Sequence, residues 1–319
     1  MDRKTADSLL RSKWPQHEIA TTAALREAGI SDRLLAHGVR LGVVVRLRQG
    51  AYMPAHRWSS LRPWERDAAR IEAHVRSARG TPVYCLSSAA ILHGMSVWAV
   101  GPAVHVATQN AGAQSSRSTD TLTHQLSLTD ADTVTIEWRG TQVRVTSAVR
   151  TLADCLRFLP YEQAVVIGDS ATHQGLVNVR SVRDVLDAGS PRGRRRAASA
   201  VAALEPLTES PGESRTRILL ARLGFEKPVV QLWIPTAEGP YRADFAWPEL
   251  KIIIEFDGEG KYLDYAPTAE VLLAERRRET LLMEEGWIFV RLRWPDLDRP
   301  DEVRRRIASA IARAARRSA

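Results

Sequence analysis

The stretch Tyr241–Gly258, YRADFAWPELKIIIEFDG, constrains this chain more than any other. It reads as a β-hairpin: Tyr241–Trp247, a break at Pro248 and Glu249, then Lys251–Asp257, rich in isoleucine. Side chains alternate across a strand, so Glu255 and Asp257 leave the same face. With the hairpin centred between Glu249 and Leu250, Asp244 lies directly across from Glu255. Facing positions sit about 4.5–5.5 Å apart at Cβ, where like charges repel. Three carboxylates on one face of apolar strands call for a counterpart. A divalent metal supplies one, since Mg²⁺ takes oxygen ligands, commonly one or two carboxylates plus substrate phosphates. The competing reading is a cross-strand ion pair of Asp257 with Arg242, with Glu255 as an edge charge that blocks aggregation.

At 319 residues the chain has room for two or three domains, at roughly 150 residues each. Its apolar and charged fractions are those of a globular protein, and no apolar run reaches the ~18–20 residues of a membrane span. The first residues, MDRKTADSLLRSKW, lack a signal-peptide core. Cys85 and Cys155 lie far apart with no metal-ligand spacing, which reads as reduced thiols in a cytoplasmic protein. Charge is unevenly spread. Residues 1–80 hold 15 Lys and Arg against 8 Asp and Glu, whereas residues 205–319 hold 19 against 20. The basic excess sits at the front, where it attracts a polyanion, and the acidic hairpin lies elsewhere.

Taken in order, the chain opens with a helical segment, Asp2–Ser12, carrying Ala6, Leu9 and Leu10 on one side. Thr22–Ala28 is a second short helix capped by Thr21 or Thr22, and Ser31 caps a third, SDRLLAHGVRLG, with Leu34, Leu35 and Val39 inward. Two extended pieces follow in VVVRLRQGAYMP. Helix, turn, helix and β-wing is the order of a winged helix-turn-helix, in which the third helix enters the major groove. Candidate DNA contacts are Arg33, His37 and Arg40 on that helix and Arg46 and Arg48 on the wing.

Residues 61–79 form one amphipathic helix leading into a middle region. There TPVYCLSSAAILHGM is a strand and then a helix from Ser87 or Ser88, closing at Gly94; further strands are Val104–Thr108 and Thr133–Trp138. Gln109–Thr121 reads as a mobile loop. Thr146 or Ser147 caps a helix with an Arg150–Asp154 pair at i,i+4, and another helix runs from Tyr161 to about Thr172. His93 reads as a buried or capping histidine. Arg192–Arg196 lies on a basic helix before the turn-rich TESPGES. The last region has the order α-β-β-β-α-β-α, one helix-flanked mixed sheet.

These residues carry two resemblances. The pieces Glu213 on the opening helix, YRADFAWP, IIIEFDGEGKY, the ERRRE helix and GWIFVRLRWPDL resemble the PD-(D/E)xK nuclease superfamily, and within it the DUF559 group related to very-short-patch-repair endonucleases. The resemblance implies Asp244 and Glu255 as ligands of Mg²⁺ or Mn²⁺, Asp257 as a further ligand and Glu213 as an accessory acid. The lysine that the superfamily places two residues after the second acid is Asp257 here, which leaves Lys261 to position the water or stabilise phosphate charge. The very-short-patch enzymes place histidines after the glycine, where this chain has Lys261 and Tyr262. TTAALREAGISDRLLAHGV, RLRQGAYMP, SSAAILHG and VTSAVRTLADCLR resemble AbiEi-type antitoxins of type IV toxin–antitoxin systems. That likeness implies a DNA-binding head that represses transcription and a cognate toxin as partner.

The expected fold is α+β and multidomain. It comprises a winged helix-turn-helix over 1–60, an α/β middle domain over 61–186, a basic helix and linker over 187–212, and a restriction-endonuclease-like α/β domain over 213–319. Two functions stand open: a metal-dependent DNA endonuclease brought to double-stranded DNA by its head, or an antitoxin-type repressor with an inactive nuclease-like domain. RNA as the substrate is a third possibility, because a fold does not fix its substrate.

Overall fold

The computed structural model describes residues 1–108, 120–258 and 269–318. It is an α+β chain whose described strands form three sheets. It divides into two compact units, Met1–Leu159 with Val177–Ala197, and Pro160–Leu176 with Ala198–Ala319.

The first unit begins with helix α1 (Arg3–Lys13), where the Asp2 carboxylate accepts the Thr5 N–H at 2.9 Å. Strand β1 (Ala20–Thr21) leads into α2 (Thr22–Glu27), capped by Thr21. Ser31 caps α3 (Asp32–Arg40), and β2 (Val44–Arg48) and β3 (Ala51–Pro54) follow. The sheet order is β1-β3-β2, all antiparallel. Ala6, Leu10, Leu25, Ile30 and Leu35 make the core of this head, whereas Leu9, expected inward, is exposed. Gly38 lets α1 and α3 close: a Cβ there would stand 2.6 Å from Leu10 Cδ1.

After α4 (Ala55–Ser60), helix α5 (Pro63–Ser77) packs Ala69 and Ala73 on Ile19, Ala51 and Met53. The expected boundary at residue 60 therefore divides no separate body: head and middle share apolar contacts and one unit. The middle contains β4 (Val83–Tyr84), α6 (Leu86–Leu92), β5 (Val104–Thr108), β6 (Thr121–Gln125), β7 (Thr133–Trp138), β8 (Thr141–Thr146) and α7 (Ala148–Phe158). The sheet order is β6-β5-β4-β8-β7, with β5–β6 and β4–β8 parallel. Of the tract expected as a loop, residues 109–119 lie outside the described residues, and Thr121 opens β6. His93 follows α6 and its Nε2 lies 2.7 Å from the Thr146 carbonyl, a capping place as expected.

Helix α8 (Tyr161–His173), expected with the middle domain, belongs to the second unit. Its buried Asp169 takes Arg217 Nη2 at 2.8 Å and the Glu205 N–H at 2.8 Å. A buried carboxylate is held where its cation is, and sequence adjacency does not decide that. Helices α9 (Val179–Ala188) and α10 (Arg194–Ala202) precede α11 (Pro211–Arg222). Then come β9 (Val229–Ile234), β10 (Tyr241–Trp247), β11 (Ile252–Phe256), α12 (Ala269–Glu284), β12 (Ile288–Leu292), α13 (Trp294–Leu297) and α14 (Pro300–Ser318). The sheet order is β12-β11-β10-β9, with β11–β12 parallel and the other pairs antiparallel. One face buries Phe245, Trp247, Ile252, Ile254 and Phe256 against α11 and α14. The other packs Ile253 and Ala246 on Leu282 of α12. The α-β-β-β-α-β-α order read from the sequence is present, with the short α13 added.

Candidate functional site

On the head, Arg33, Ala36 and Arg40 are exposed at spacings of three and four along α3, so they share one face. Helix α3 is held against α2 by a two-pronged Arg26–Asp32 pair, at 2.9 and 2.6 Å. His37 Nε2 lies 2.9 Å from the Met1 carbonyl oxygen, and its Nδ1 is 3.4 Å from Arg40 Nη2. The ring is thus tied to the chain start, beside the exposed face. Arg46 on β2 is exposed.

Arg48 departs from expectation. Two residues after Arg46 on a regular strand, it would share the exposed face. A β-bulge between Arg46 and Arg48 shifts the register, pairing Arg46 with Tyr52 but Arg48 with Ala51. The Arg48 side chain is 15% exposed and its Nε stands 3.0 Å from Asp120. Its Nη1 is buried with no acceptor among the described residues. This guanidinium turns toward Asp120 of the middle region, and of the five candidate DNA contacts Arg33, Arg40 and Arg46 are exposed.

In the second unit, the hairpin register is Phe245 with Ile254, Ala246 with Ile253 and Trp247 with Ile252. Its centre is the one read from the sequence, and the paired register ends at Phe245 and Ile254, the residues next to Asp244 and Glu255. The turn is Pro248–Leu250, closed by Lys251 at φ 49°. Asp244 is buried, and its Oδ2 accepts the Phe256 N–H at 2.8 Å, a carboxylate taking a backbone donor at the end of the ladder. Glu255 Oε1 accepts the Tyr241 hydroxyl at 3.1 Å. Burial first, and then Glu255, Glu279 and Glu275, push the Tyr241 hydroxyl well above its ordinary range, so it stays a donor at neutral pH.

Asp257 leaves this pair. Its N–H donates to the Leu292 carbonyl at 2.8 Å and its carboxylate lies 3.6 Å from Arg293, because β11 runs on beside β12 rather than beside β10. The alternative Asp257–Arg242 pair is not made either: Arg242 reaches Glu209 at 2.7 Å. Glu213 is buried in the first turn of α11. It accepts the Ser210 hydroxyl at 2.7 Å, the Glu209 N–H at 3.0 Å and Gln231 Nε2 at 3.1 Å, while the Ser210 hydroxyl caps the helix by accepting the Glu213 N–H at 3.2 Å. Lys261 lies outside the described residues. Among the described residues no three or more His, Cys, Asp or Glu side chains gather as a metal-binding group, so the expected face of Asp244, Glu255 and Asp257 is not assembled.

Three neighbours escape a reading of the sequence. Gln231 sits on β9 between the pairs Ala243–Leu232 and Phe245–Val230, opposite Asp244, with a left-handed φ of 53°. Its Oε1 is buried with no donor among the described residues. Arg291 on β12 pairs with Glu255 in the parallel register and holds Glu279 at 2.5 Å. Tyr241 is the third. The parallel register of WIFVRLR against IIIEF is the one available signal, and it points to Arg291 alone.

The Asp244–Glu255 pair suits a hard divalent cation as a partial donor set. Asp244 accepts a backbone amide with one oxygen, and the buried Gln231 Oε1 has no hydrogen-bond donor among the described residues. Mg²⁺ is commonly held by one or two carboxylates, with water and phosphate oxygens completing its shell.

No family model matches the chain, and no curated protein does. Among solved structures it is similar to the RV2827C protein of Mycobacterium tuberculosis, at 14% identity and a TM-score of 0.39, over 73% of this chain and 88% of that one.

Proposed function

We propose that this protein binds double-stranded DNA through its N-terminal head, as a winged helix-turn-helix. One observation carries this reading: the β1-β3-β2 sheet backs a capped helix α3 whose outer face offers Arg33, Ala36 and Arg40, with Arg46 on the adjoining wing. A helix of this kind reads base edges in the major groove while wing arginines take phosphates. Fluorescence anisotropy of the full chain on a labelled duplex tests it. Binding that falls steeply with salt and weakens in Arg46→Ala supports the proposal, and no binding at low salt rejects it.

For the second unit we propose a nuclease-like domain of the PD-(D/E)xK kind, in which Asp244 and Glu255 hold Mg²⁺ or Mn²⁺. The hairpin register supports that reading: its last pair, Phe245 with Ile254, adjoins Asp244 on one strand and Glu255 on the other. The ion, when bound, activates water and offsets charge on a phosphodiester. The chain's own part is to hold the two carboxylates: the Phe256 N–H fixes Asp244, and the Tyr241 hydroxyl and Arg291 flank Glu255. Plasmid cleavage by wild type but not by Asp244→Asn is the expected result.

A second reading, an antitoxin-type repressor with a cognate toxin and an inert nuclease-like domain, is favoured by Glu213 and Asp257. Glu213 is committed to a helix cap and Asp257 stands beside Arg293. Absence of cleavage over a range of divalent metals and of DNA and RNA substrates selects it. Either reading places the protein in the cytoplasm. Among the described residues no helix is long and apolar enough to cross a membrane.

A further inference from the structure

The second unit carries a charge division that its carboxylate pair leaves unexplained. Residues 205–287 hold 16 Asp and Glu against 10 Lys and Arg, whereas residues 288–318 hold 9 Arg against 4 acids. Most of that basic excess lies on α14. The helix is anchored by Val303, Ile307, Ala310 and Ala314, an unbroken buried stripe. Packing therefore does not require its arginines. The helix macrodipole favours Arg316 and Arg317 at the C-terminal end, but it gives no help to Arg304, Arg305 and Arg306 in the N-terminal half.

Against α14 lies strand β12, which ends the sheet order among the described strands. Between them runs an open groove of about 380 Å³, floored by Phe289 and Val290 and walled by Arg305, Arg306, Ser309 and Arg313. Arg306 is committed, with Nη1 3.2 Å from Asp296 and Nη2 donating to the Arg291 carbonyl. Arg305 is 75% exposed and holds Glu302 at 2.5 Å, a surface pair that a phosphate replaces at little cost. Arg313 is exposed.

Arg305, Ser309 and Arg313 recur at four-residue intervals, so they line one side of the helix. At ~1.5 Å of rise per residue the two arginines stand about 12 Å apart along the axis, roughly three to four nucleotide steps of one DNA strand. The apolar face of α14 is turned into the core, which leaves it nothing to insert into a lipid surface.

The geometry points to a second DNA contact, in which the groove between β12 and α14 takes the phosphodiester backbone of a duplex on Arg305 and Arg313, with the Ser309 hydroxyl between them. Its choice of duplex DNA as occupant rests on the DNA-binding reading of the head. The contact is independent of base sequence, since it meets phosphates only.

The test measures binding of the full chain to a duplex of arbitrary sequence, about 30 base pairs long, over a range of salt. The proteins compared are wild type, Arg305→Gln/Arg313→Gln and Arg33→Ala/Arg46→Ala. Two lost phosphate contacts should lower the slope of log K against log salt by about 1.8 and weaken binding roughly ten- to sixtyfold near 0.1 M salt. Both substituted groove positions are exposed, and an unchanged thermal melt establishes that the variant folds. A lower slope in the groove variant supports the contact, whether or not the head variant also binds less. An unchanged slope in the groove variant, with binding lost in the head variant, overturns the groove and leaves the head reading standing. Binding lost in the groove variant and unaltered in the head variant does the reverse. Loss of binding to phosphatidylserine vesicles alone, with the DNA slope unchanged, overturns the choice of DNA. No duplex binding by wild type at any salt overturns both.

Discussion

Acid should destabilise the first unit before carboxylate protonation becomes general, because two histidines are held neutral inside it. His74 lies on α5 with its Nδ1 2.8 Å from the Tyr84 hydroxyl, the two rings edge-on at 5.4 Å. Burial, with the charge of Arg48 adding to it, pushes His74 down from 6.5 to about 4. His105 is likewise pushed down to about 4 by burial and by His124, whose Nε2 lies 2.8 Å from His105 Nδ1. A histidine with a depressed folded value contributes stability that is complete above the unfolded value of 6.5 and is lost as pH falls from there toward 4. A tenfold difference in proton affinity between the folded and unfolded chain is worth about 1.36 kcal/mol, so at about pH 5 each histidine costs up to ~2 kcal/mol. Partial solvent screening brings this nearer to about 1–2 kcal/mol. Together they amount to roughly 2–4 kcal/mol, or about 5–15 °C in midpoint for a unit of this size. Calorimetry at about pH 7.5 and pH 5 reads this directly, and His74→Phe, which keeps a ring against Tyr84, should remove about half of the dependence. A midpoint unchanged between the two pH values, or a variant with the full wild-type dependence, would show that the two buried histidines do not set the acid sensitivity.

Three substitutions probe the second unit. A Cβ at Gly212 would lie 1.9 Å from Phe256 Cε1, in a ring packed edge-on to Trp294, so Gly212→Ala should cost about 1–3 kcal/mol by overpacking, read by urea denaturation. Arg217→Met leaves Asp169 buried without its cation and should cost about 3–5 kcal/mol, much of which Asp169→Asn in the same chain restores. Asp244→Ala strands the Phe256 N–H and should cost about 1–3 kcal/mol, whereas Asp244→Asn keeps an acceptor there and costs less. Isothermal titration should show Mn²⁺ binding lost in both Asp244 variants, and unchanged affinity in either rejects the Asp244–Glu255 metal site.

Local chemistry is the legible part of this chain. The caps Thr21, Ser31 and Ser147 each accept the amide that their position dictates, and Pro248–Glu249–Leu250 sets the hairpin centre. The i,i+4 partners Arg150 and Asp154 meet at 2.9 Å, with Asp132 joining them at 3.0 Å. What escapes depends on contacts far along the chain or on backbone irregularity. Alternation places Arg48 outward, and a bulge one residue earlier turns it in. Adjacency assigns helix α8 to the middle region, but its Asp169 answers to Arg217, 48 residues on. Strand β6, TLTHQ, is short and polar, so it shows no apolar alternation to announce it. Strand parity places Asp257 on the carboxylate face, yet β11 ends at Phe256 and the next amide joins Leu292. Gln231 is a non-glycine residue in a left-handed conformation, which no propensity foretells.

In the proposed DNA-binding mode, α3 reads DNA sequence and the wing holds its backbone. Sequencing the duplexes that the full chain selects from a random pool, for wild type, Arg33→Ala and Arg46→Ala, tests it most directly. Wild type should enrich a defined motif. Arg33→Ala should flatten that motif at one or two positions, at a cost of about 1–3 kcal/mol of discrimination, whereas Arg46→Ala should keep the motif and lower the yield evenly. A pool that wild type leaves unenriched, or a motif identical in strength and form in all three proteins, contradicts it.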